Sequence, residues 1–203
     1  YNTYVTNPSF GANGTSTVPN DLNNADLRPE RTNAFETGLD LRFLKGRVAV
    51  DVTYYNQVTN DMIFGVSQSA ATGFTTRQLN AGKVLNHGVE IMATITPVKT
   101  KDLRWDIGFN FAKNYNTVLE LADGTDNIRL ASLFGPTLEA RVGEAYGSFY
   151  GTNFVYDDEG NKLTDGGVYV GSTEVENLGS VLADFTGGVS TTLSWKGFSL
   201  YVL

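Results

Sequence analysis

Asn80–Val118 reads NAGKVLNHGVEIMATITPVKTKDLRWDIGFNFAKNYNTV, and the fold turns on how its alternation is read. From Val89 the odd positions are Val89, Ile91, Ala93, Ile95 and Pro97, and the even ones are Glu90, Met92, Thr94 and Thr96. Beyond a polar turn at Lys99-Thr100-Lys101-Asp102, Leu103, Trp105, Ile107, Phe109 and Phe111 alternate with Arg104, Asp106, Gly108, Asn110 and Ala112. Successive strand side chains point to opposite faces, so this is a hairpin with one greasy face and one polar, partly charged face. A soluble sandwich with one dry core produces the same period. The choice between the two rests on the rest of the chain.

Hairpins on both sides repeat the pattern. Ala34–Leu44 puts Phe35, Leu39, Leu41 and Phe43 on one face and Glu36, Gly38, Asp40 and Arg42 on the other. After Lys45-Gly46, Arg47–Thr59 sets Val48, Val50, Val52, Tyr54 and Val58 against Ala49, Asp51, Thr53, Tyr55 and Gln57. A two-residue loop at Lys45-Gly46 pairs Leu44 with Arg47, Phe43 with Val48 and Leu41 with Val50, so apolar faces apolar. It also sets Asp40 opposite Asp51, a like-charge pair that water or the diagonal Arg42 softens and a dry core does not. At the other end Phe185, Val189, Leu193 and Trp195 share a face. Lys196-Gly197 turns the chain, and Phe198, Leu200 and Val202 return with Trp195 opposite Phe198.

The connections are unequal. Residues 1–31, rich in Asn, Thr, Gly and Pro, read as a loop with a tight turn at Asn13-Gly14. Asn60–Gln78 reads as a second long, mostly polar loop. Residues 119–184, dense in Gly and Asp, read as a long extracellular segment with short strands and a hairpin tip at Asp157-Asp158-Glu159-Gly160-Asn161. Aromatics collect at the short-turn ends (Phe43, Trp105, Trp195, Phe198) and again at the opposite ends (Tyr54, Tyr115). Short turns on one side, long loops on the other and two aromatic girdles are the marks of a transmembrane β-barrel. A sandwich would more often hold its large aromatics in the middle of the core. The expected fold class is therefore all-β, an antiparallel transmembrane β-barrel fragment.

Composition agrees. Of 203 residues 41% are hydrophobic, yet the mean hydropathy is -0.18. No apolar run of about 18 residues exists, which excludes a transmembrane helix but not barrel strands. There is no cysteine, hence no disulfide framework and no thiolate metal site. A net charge of -7 argues against nucleic acid as a partner. The chain begins at Tyr1 without an initiator Met and stops at Leu203 inside an apolar alternating run. It is expected to be an internal piece of a longer protein, with any targeting signal upstream.

LRPERTNAFETGLDLRFLKGRVAVDVTYYN (Leu27–Asn56) resembles the late barrel strands of TonB-dependent outer-membrane transporters, and more narrowly of the SusC/RagA-type importers of Bacteroidetes-like Gram-negative bacteria. Asn80–Asn114, VGEAYGSFYGTNF (Val142–Phe154) and DFTGGVSTTLSWKGFSLYVL (Asp184–Leu203) extend the resemblance over more than half of the chain, in the family's order. No single motif is diagnostic; the ordered set is a strong signal. The resemblance implies a cell-outer-membrane barrel of about 22 strands, of which this chain would hold about six or seven. All of residues 1–203 would then belong to one TonB-dependent receptor β-barrel domain, with the plug domain, the TonB box and the closing strands outside it. It implies further partners: outer-membrane lipid, a SusD-like surface lipoprotein, TonB through the missing N-terminal part, and an oligosaccharide or peptide ligand. No cofactor and no enzymatic step are implied. The alternatives are a soluble carbohydrate-binding β-sandwich, a β-rich hydrolase and a simple porin.

Few residues carry chemistry. His87 is the only histidine and reads as a loop or lumen polar residue, since zinc or nucleophilic chemistry needs partners it lacks. The acidic tip at Asp157–Asn161 lacks the spacing of an EF-hand and reads as a β-turn. Glu36 with Asp40, or Asp51 with Asp106, would make a glycosidase pair only if they converged, and they read instead as lumen-lining charge. Tyr146, Phe149, Tyr150, Phe154 and Tyr156 are the candidate ligand contacts, because aromatic faces stack on sugar rings and fill peptide pockets; packing against the wall is the plainer reading. Lys113 falls in the lipid-facing register, where mid-bilayer placement costs ~2–4 kcal/mol, so it is expected at the outer interface.

Overall fold

The computed structural model describes residues 5–10, 13–17, 19–132 and 134–203, with side chains from residue 19 onward. In chain order the strands are β1 (Val5–Phe10), β2 (Asn13–Thr17), β3 (Asp21–Leu22), β4 (Arg31–Phe43), β5 (Val48–Ser67), β6 (Thr76–Lys99) and β7 (Leu103–Leu121). Then come β8 (Asn127–Ser132), β9 (Thr137–Arg141), β10 (Ser148–Phe154), β11 (Thr164–Asp165), β12 (Val168–Tyr169), β13 (Gly171–Ser180), β14 (Thr186–Trp195) and β15 (Phe198–Val202). The chain forms two compact units, one of Tyr1–Thr32, Thr59–Val84 and Thr117–Val181, the other of Asn33–Val58, Leu85–Asn116 and Leu182–Leu203.

The second unit is a single sheet in the order β15-β14-β7-β6-β5-β4, open at β15 and β4. Its registers follow the alternation. Val189 lies opposite Phe109, Leu193 opposite Trp105, and Trp195 opposite Leu103, while Ser190 meets Gly108, Thr192 meets Asp106 and Ser194 meets Arg104. On the far side of β14, Leu193 faces Leu200 and Trp195 faces Phe198, as the turn arithmetic requires. The Lys45-Gly46 and Lys196-Gly197 turns hold both central residues at positive φ (58 and 78; 46 and 90), the hairpin geometry whose twist matches that of the strands. Arg47 N donates to Leu44 O across the first of them (3.3 Å). Arg42 donates twice to Asp40, at 3.2 and 3.0 Å, which supplies the counter-charge the Asp40–Asp51 register calls for.

Among the described residues this unit buries no apolar side chain. Phe109 and Leu193, which a sandwich would bring together in a core, are 43% and 42% exposed; Phe35 and Leu39 are 63% and 64% exposed. The sheet therefore has an apolar face without an apolar partner layer.

The first unit is built differently. Phe64, Ala81 and Ile128 form a buried cluster with Met62, Leu79 and Tyr146 against it, and Val84, Val118 and Ala140 form a second. β8, β9, β10 and β13 make a small sheet in the order β13-β10-β9-β8. Pro29 and its neighbours strap the β5–β6 pair. Asp61, at φ 58, accepts from Arg28 Nη2 (2.7 Å) and Arg31 Nη2 (3.3 Å). Asn80 bonds the backbone of Arg28 in both directions, at 2.8 Å each, and donates to Asp61 O at 2.7 Å. Ile63 N donates to Glu30 Oε1 at 2.8 Å.

Three expectations are corrected here. Asn60–Gln78 is not one loop: β5 runs to Ser67 and β6 starts at Thr76, because Met62, Phe64 and Val66 alternate into the core. The left-handed Asp61 interrupts the extended run and hides that period in the sequence. Asn13-Gly14 is not a turn but opens β2, since Phe10 already pairs with Asn13. The first 31 residues also carry β1, β2 and a parallel β3–β6 pairing, Asp21 with Thr76.

A methyl group at Gly88 would meet the Lys113 carbonyl oxygen and stand 2.6 Å from Tyr55 Oη. Because a backbone atom must give way, Gly88→Ala is expected to cost about 1–3 kcal/mol, read as a lower urea midpoint with an unchanged slope. Asp61→Ala leaves Arg28, Arg31 and the left-handed backbone unsupported. It is expected to loosen the strap by about 1–3 kcal/mol, seen as faster tryptic cleavage after Arg31.

Candidate functional site

On the polar face of the sheet an amide–phenol ladder crosses three strands. Tyr55 Oη donates to Asn114 Oδ1 at 3.0 Å, and Asn86 Oδ1 accepts from Asn114 Nδ2 (3.3 Å) and Asn116 Nδ2 (2.8 Å). Glu36, Gln57 and Glu90 line the open depression around it. Of the four carboxylates considered for acid–base work, three are engaged by neighbours. Asp40 holds Arg42, Asp51 accepts from Thr53 (3.4 Å), and Asp106 holds Arg104 (2.6 and 3.0 Å) and Thr96 (2.7 Å). Asp40 and Asp106, each tied to an arginine two residues along its own strand, are charge-compensated wall, while Glu36 lines the open depression.

The apolar face carries the two aromatic sets. Trp105 Nε1 donates to Thr191 Oγ1 at 2.7 Å, an indole with its polar edge satisfied and its ring exposed. Tyr115 stacks on His87 (centroids 5.3 Å) and lies under Lys113 Nζ (4.9 Å). His87 thus stands inside β6, against an aromatic of the apolar face, rather than in a loop or the lumen, and its Nδ1 is buried without a hydrogen-bond partner. Lys113 lies beyond Ile107 by about 20 Å of strand at the usual rise per residue, on the same strand β7.

The five candidate ligand aromatics part company in the first unit. Tyr146 stacks on Phe64 (5.9 Å) within the core, and burial, then the Glu30 carboxylate, push its phenol pKa up. Tyr150 is buried, donates to the Glu144 carboxylate and lies under the Arg141 guanidinium, 3.5 Å from its ring centre. Phe149 is half-buried. Phe154 and Tyr156 are exposed; Phe154 meets Tyr169 edge-on at 5.5 Å, with Lys162 Nζ 4.0 Å from its ring. The acidic tip is a turn: Asp157 Oδ1 accepts from Glu159 N (3.0 Å) and Asn161 N (2.8 Å). The backbone amide of Asn161 above all holds Asp157 below the ordinary carboxylate pKa.

Sequence reading missed Glu139. It is buried and accepts from Thr137 Oγ1 (2.7 Å), Asn127 Nδ2 (2.9 Å) and Arg141 Nε (2.9 Å). Through Arg141, Tyr150, Glu144 and Asn177 it ties β8, β9, β10 and β13 together. The signal present was the period-two set Thr137, Glu139 and Arg141, too short to stand out.

A one-layer sheet with an exposed apolar face, a polar opposite face and aromatic rows at both strand ends is a piece of membrane-type β-barrel wall. The family described as TonB dependent receptor-like, beta-barrel, matches residues 1–202, and the chain belongs to that family, one of transport receptors rather than enzymes. It is similar to a TonB-dependent receptor of Formosa agariphila, 35% identical over 167 residues, covering 80% of this chain and 15% of that protein. It is also similar to the TonB-dependent receptor SusC of Bacteroides thetaiotaomicron, 30% identical over 171 residues, covering 80% of this chain and 17% of that protein. Among solved structures, the RagAB peptide transporter superposes with a TM-score of 0.78 at 24% identity over 99% of this chain and 23% of that one. The RagAB peptide importer in its closed-closed state gives 0.76 at 25%, again over 99% and 23%. The chain thus spans less than a quarter of the length of these relatives, and the exposed apolar face of the second unit disfavours the sandwich reading.

Burial raises the Glu139 pKa, but the bonds from Thr137, Asn127 and Arg141 outweigh it, and the net is a carboxyl below its usual value. Its stabilisation is therefore complete above the unfolded pKa, about 4.3, and is lost as pH falls through the lower folded value. Glu139→Gln is expected to lower the urea midpoint at pH 7, and the variant and parent midpoints are expected to converge as pH drops below about 4.

Proposed function

We propose that this chain is wall and outer-loop material of a TonB-dependent importer in the outer membrane of a Bacteroidetes-like Gram-negative bacterium. It takes up oligosaccharides or peptides with a SusD-like lipoprotein partner. The observation that carries the reading is the second unit's apolar face, exposed and coreless, in a chain of this receptor family. Likeness to the RagAB peptide importer supports a peptide-sized cargo. The polar face lines the transport path, and no covalent step occurs on it. TonB acts through a part of the protein outside this chain.

Of the five aromatics, Phe154 and Tyr156 meet the cargo, and Tyr146, Phe149 and Tyr150 hold the segment that presents them. The reading is tested in the full-length parent. It is expected in the outer-membrane fraction, with a heat-modifiable mobility in SDS gels and an uptake that stops when the TonB box is deleted. Uptake that survives that deletion would refute TonB coupling. Phe154→Ala with Tyr156→Ala is expected to weaken cargo binding by about 0.5–1.5 kcal/mol per lost ring contact, measured by calorimetry.

A further inference from the structure

The three short turns of the second unit form one continuous edge. Lys196 N donates to Asp102 O at 2.9 Å, joining the β14–β15 turn to the β6–β7 turn. Thr96 N donates to Arg47 O at 2.7 Å, and Arg47 Nη2 reaches Lys99 O at 3.5 Å, joining the latter to the β4–β5 turn. Along this edge stand Lys45, Lys99, Lys101 and Lys196, none of them in an ion pair among the described residues. The nearby arginines Arg42 and Arg104 are already neutralised by Asp40 and Asp106, and Asp102 is the acid within the turns. A chain of net charge -7 thus carries a positive edge at the end of the sheet where its chain reversals are tightest.

The apolar groups next to this edge set its chemistry. Leu44, Phe43, Trp195 and Phe198 are all exposed immediately inside it, and Lys196 Nζ lies 5.5 Å from the Trp195 ring. Along the strand, aliphatic residues give way to aromatics and then to free lysines. That is the order of acyl chain, glycerol backbone and phosphate in a phospholipid leaflet, where aromatic rings sit at the interface and lysine stems reach past them to phosphate. An acidic soluble protein would match the lysines but not the exposed rings beside them.

We infer that the turn edge bearing Lys45, Lys99, Lys101 and Lys196 binds the phosphates of anionic phospholipids in the leaflet that the short turns enter. This rests on the barrel reading above and adds a lipid preference to it. The sequence alone did not point to it, because the lysines are scattered over some 150 positions and only the strand order lines them up.

The test uses the full-length parent, delipidated and offered equimolar phosphatidylglycerol and phosphatidylethanolamine, with retained lipid counted by native mass spectrometry. The parent is expected to keep phosphatidylglycerol preferentially. The Lys45→Gln, Lys99→Gln, Lys101→Gln, Lys196→Gln variant is expected to lose about tenfold or more of that preference, since each lysine at an anionic surface is worth about fivefold. Lys113→Gln, at the far end of β7 from Lys101, is expected to keep it. If the fourfold variant does not fold, Lys99→Gln and Lys196→Gln singly are expected to give graded losses. Equal phosphatidylglycerol retention by parent and edge variants overturns the inference, as does a loss confined to peptidoglycan binding. A parent that enters bilayers but shows no headgroup preference refutes this inference alone; a parent that enters no bilayer refutes the barrel reading.

Discussion

The alternation on β7 and β14 puts Trp105, Phe109, Val189 and Leu193 on one face, and among the described residues the second unit has no layer of its own to cover them. A sheet gains most of its stability by burying one face, at about 25 cal/mol per Å² of apolar surface removed from water. Here that surface stays outside, so the environment has to supply the apolar phase. Other features suit the same constraint: charged pairs such as Asp40–Arg42 and Asp106–Arg104 on the opposite face, each compensated within its strand, and the Trp105 indole with its N–H satisfied on the sheet itself. In a bilayer every strand must also pair, which this chain achieves for its inner strands and leaves open at β4 and β15.

The first unit obeys the ordinary rule. It removes Phe64, Val84, Val118, Ile128 and Ala140 from water and pairs the buried side chains of Glu139 and Ser148 with hydrogen-bond partners. Its strap depends on Asp61, a non-glycine residue in left-handed backbone whose side chain and carbonyl are both in use. Asp tolerates that conformation better than most residues because its short polar side chain bonds locally. The same strand, β5, supplies Val50 and Val52 to the coreless unit and Phe64 to the cored one.

The aromatics of the first unit divide by their surroundings. Tyr146 has Phe64 behind its ring, and Tyr150 has Glu144 and Arg141 around it, so both brace their segment. Phe154 and Tyr156 stay exposed. Five aromatics that look alike in the sequence thus differ in what lies against each ring.

Strand alternation, the Lys-Gly turns and the pairing of Trp195 with Phe198 were all legible in the sequence by itself, because period and turn chemistry are local properties. The ordered motifs from Leu27 to Leu203 carried the family. Less was legible where contacts are long-range. The strand character of residues 60–67 was masked by Asp61, and Glu139 stands too far in sequence from Asn127 and Tyr150 for a network to be read. The tertiary structure alone decided that the apolar face of the second unit stays exposed among the described residues, because burial depends on what lies across a face rather than on which residues occupy it. It also decided that lysines at 45, 99, 101 and 196 share one edge, because hydrogen-bonded strand order, not sequence distance, sets which turns are neighbours.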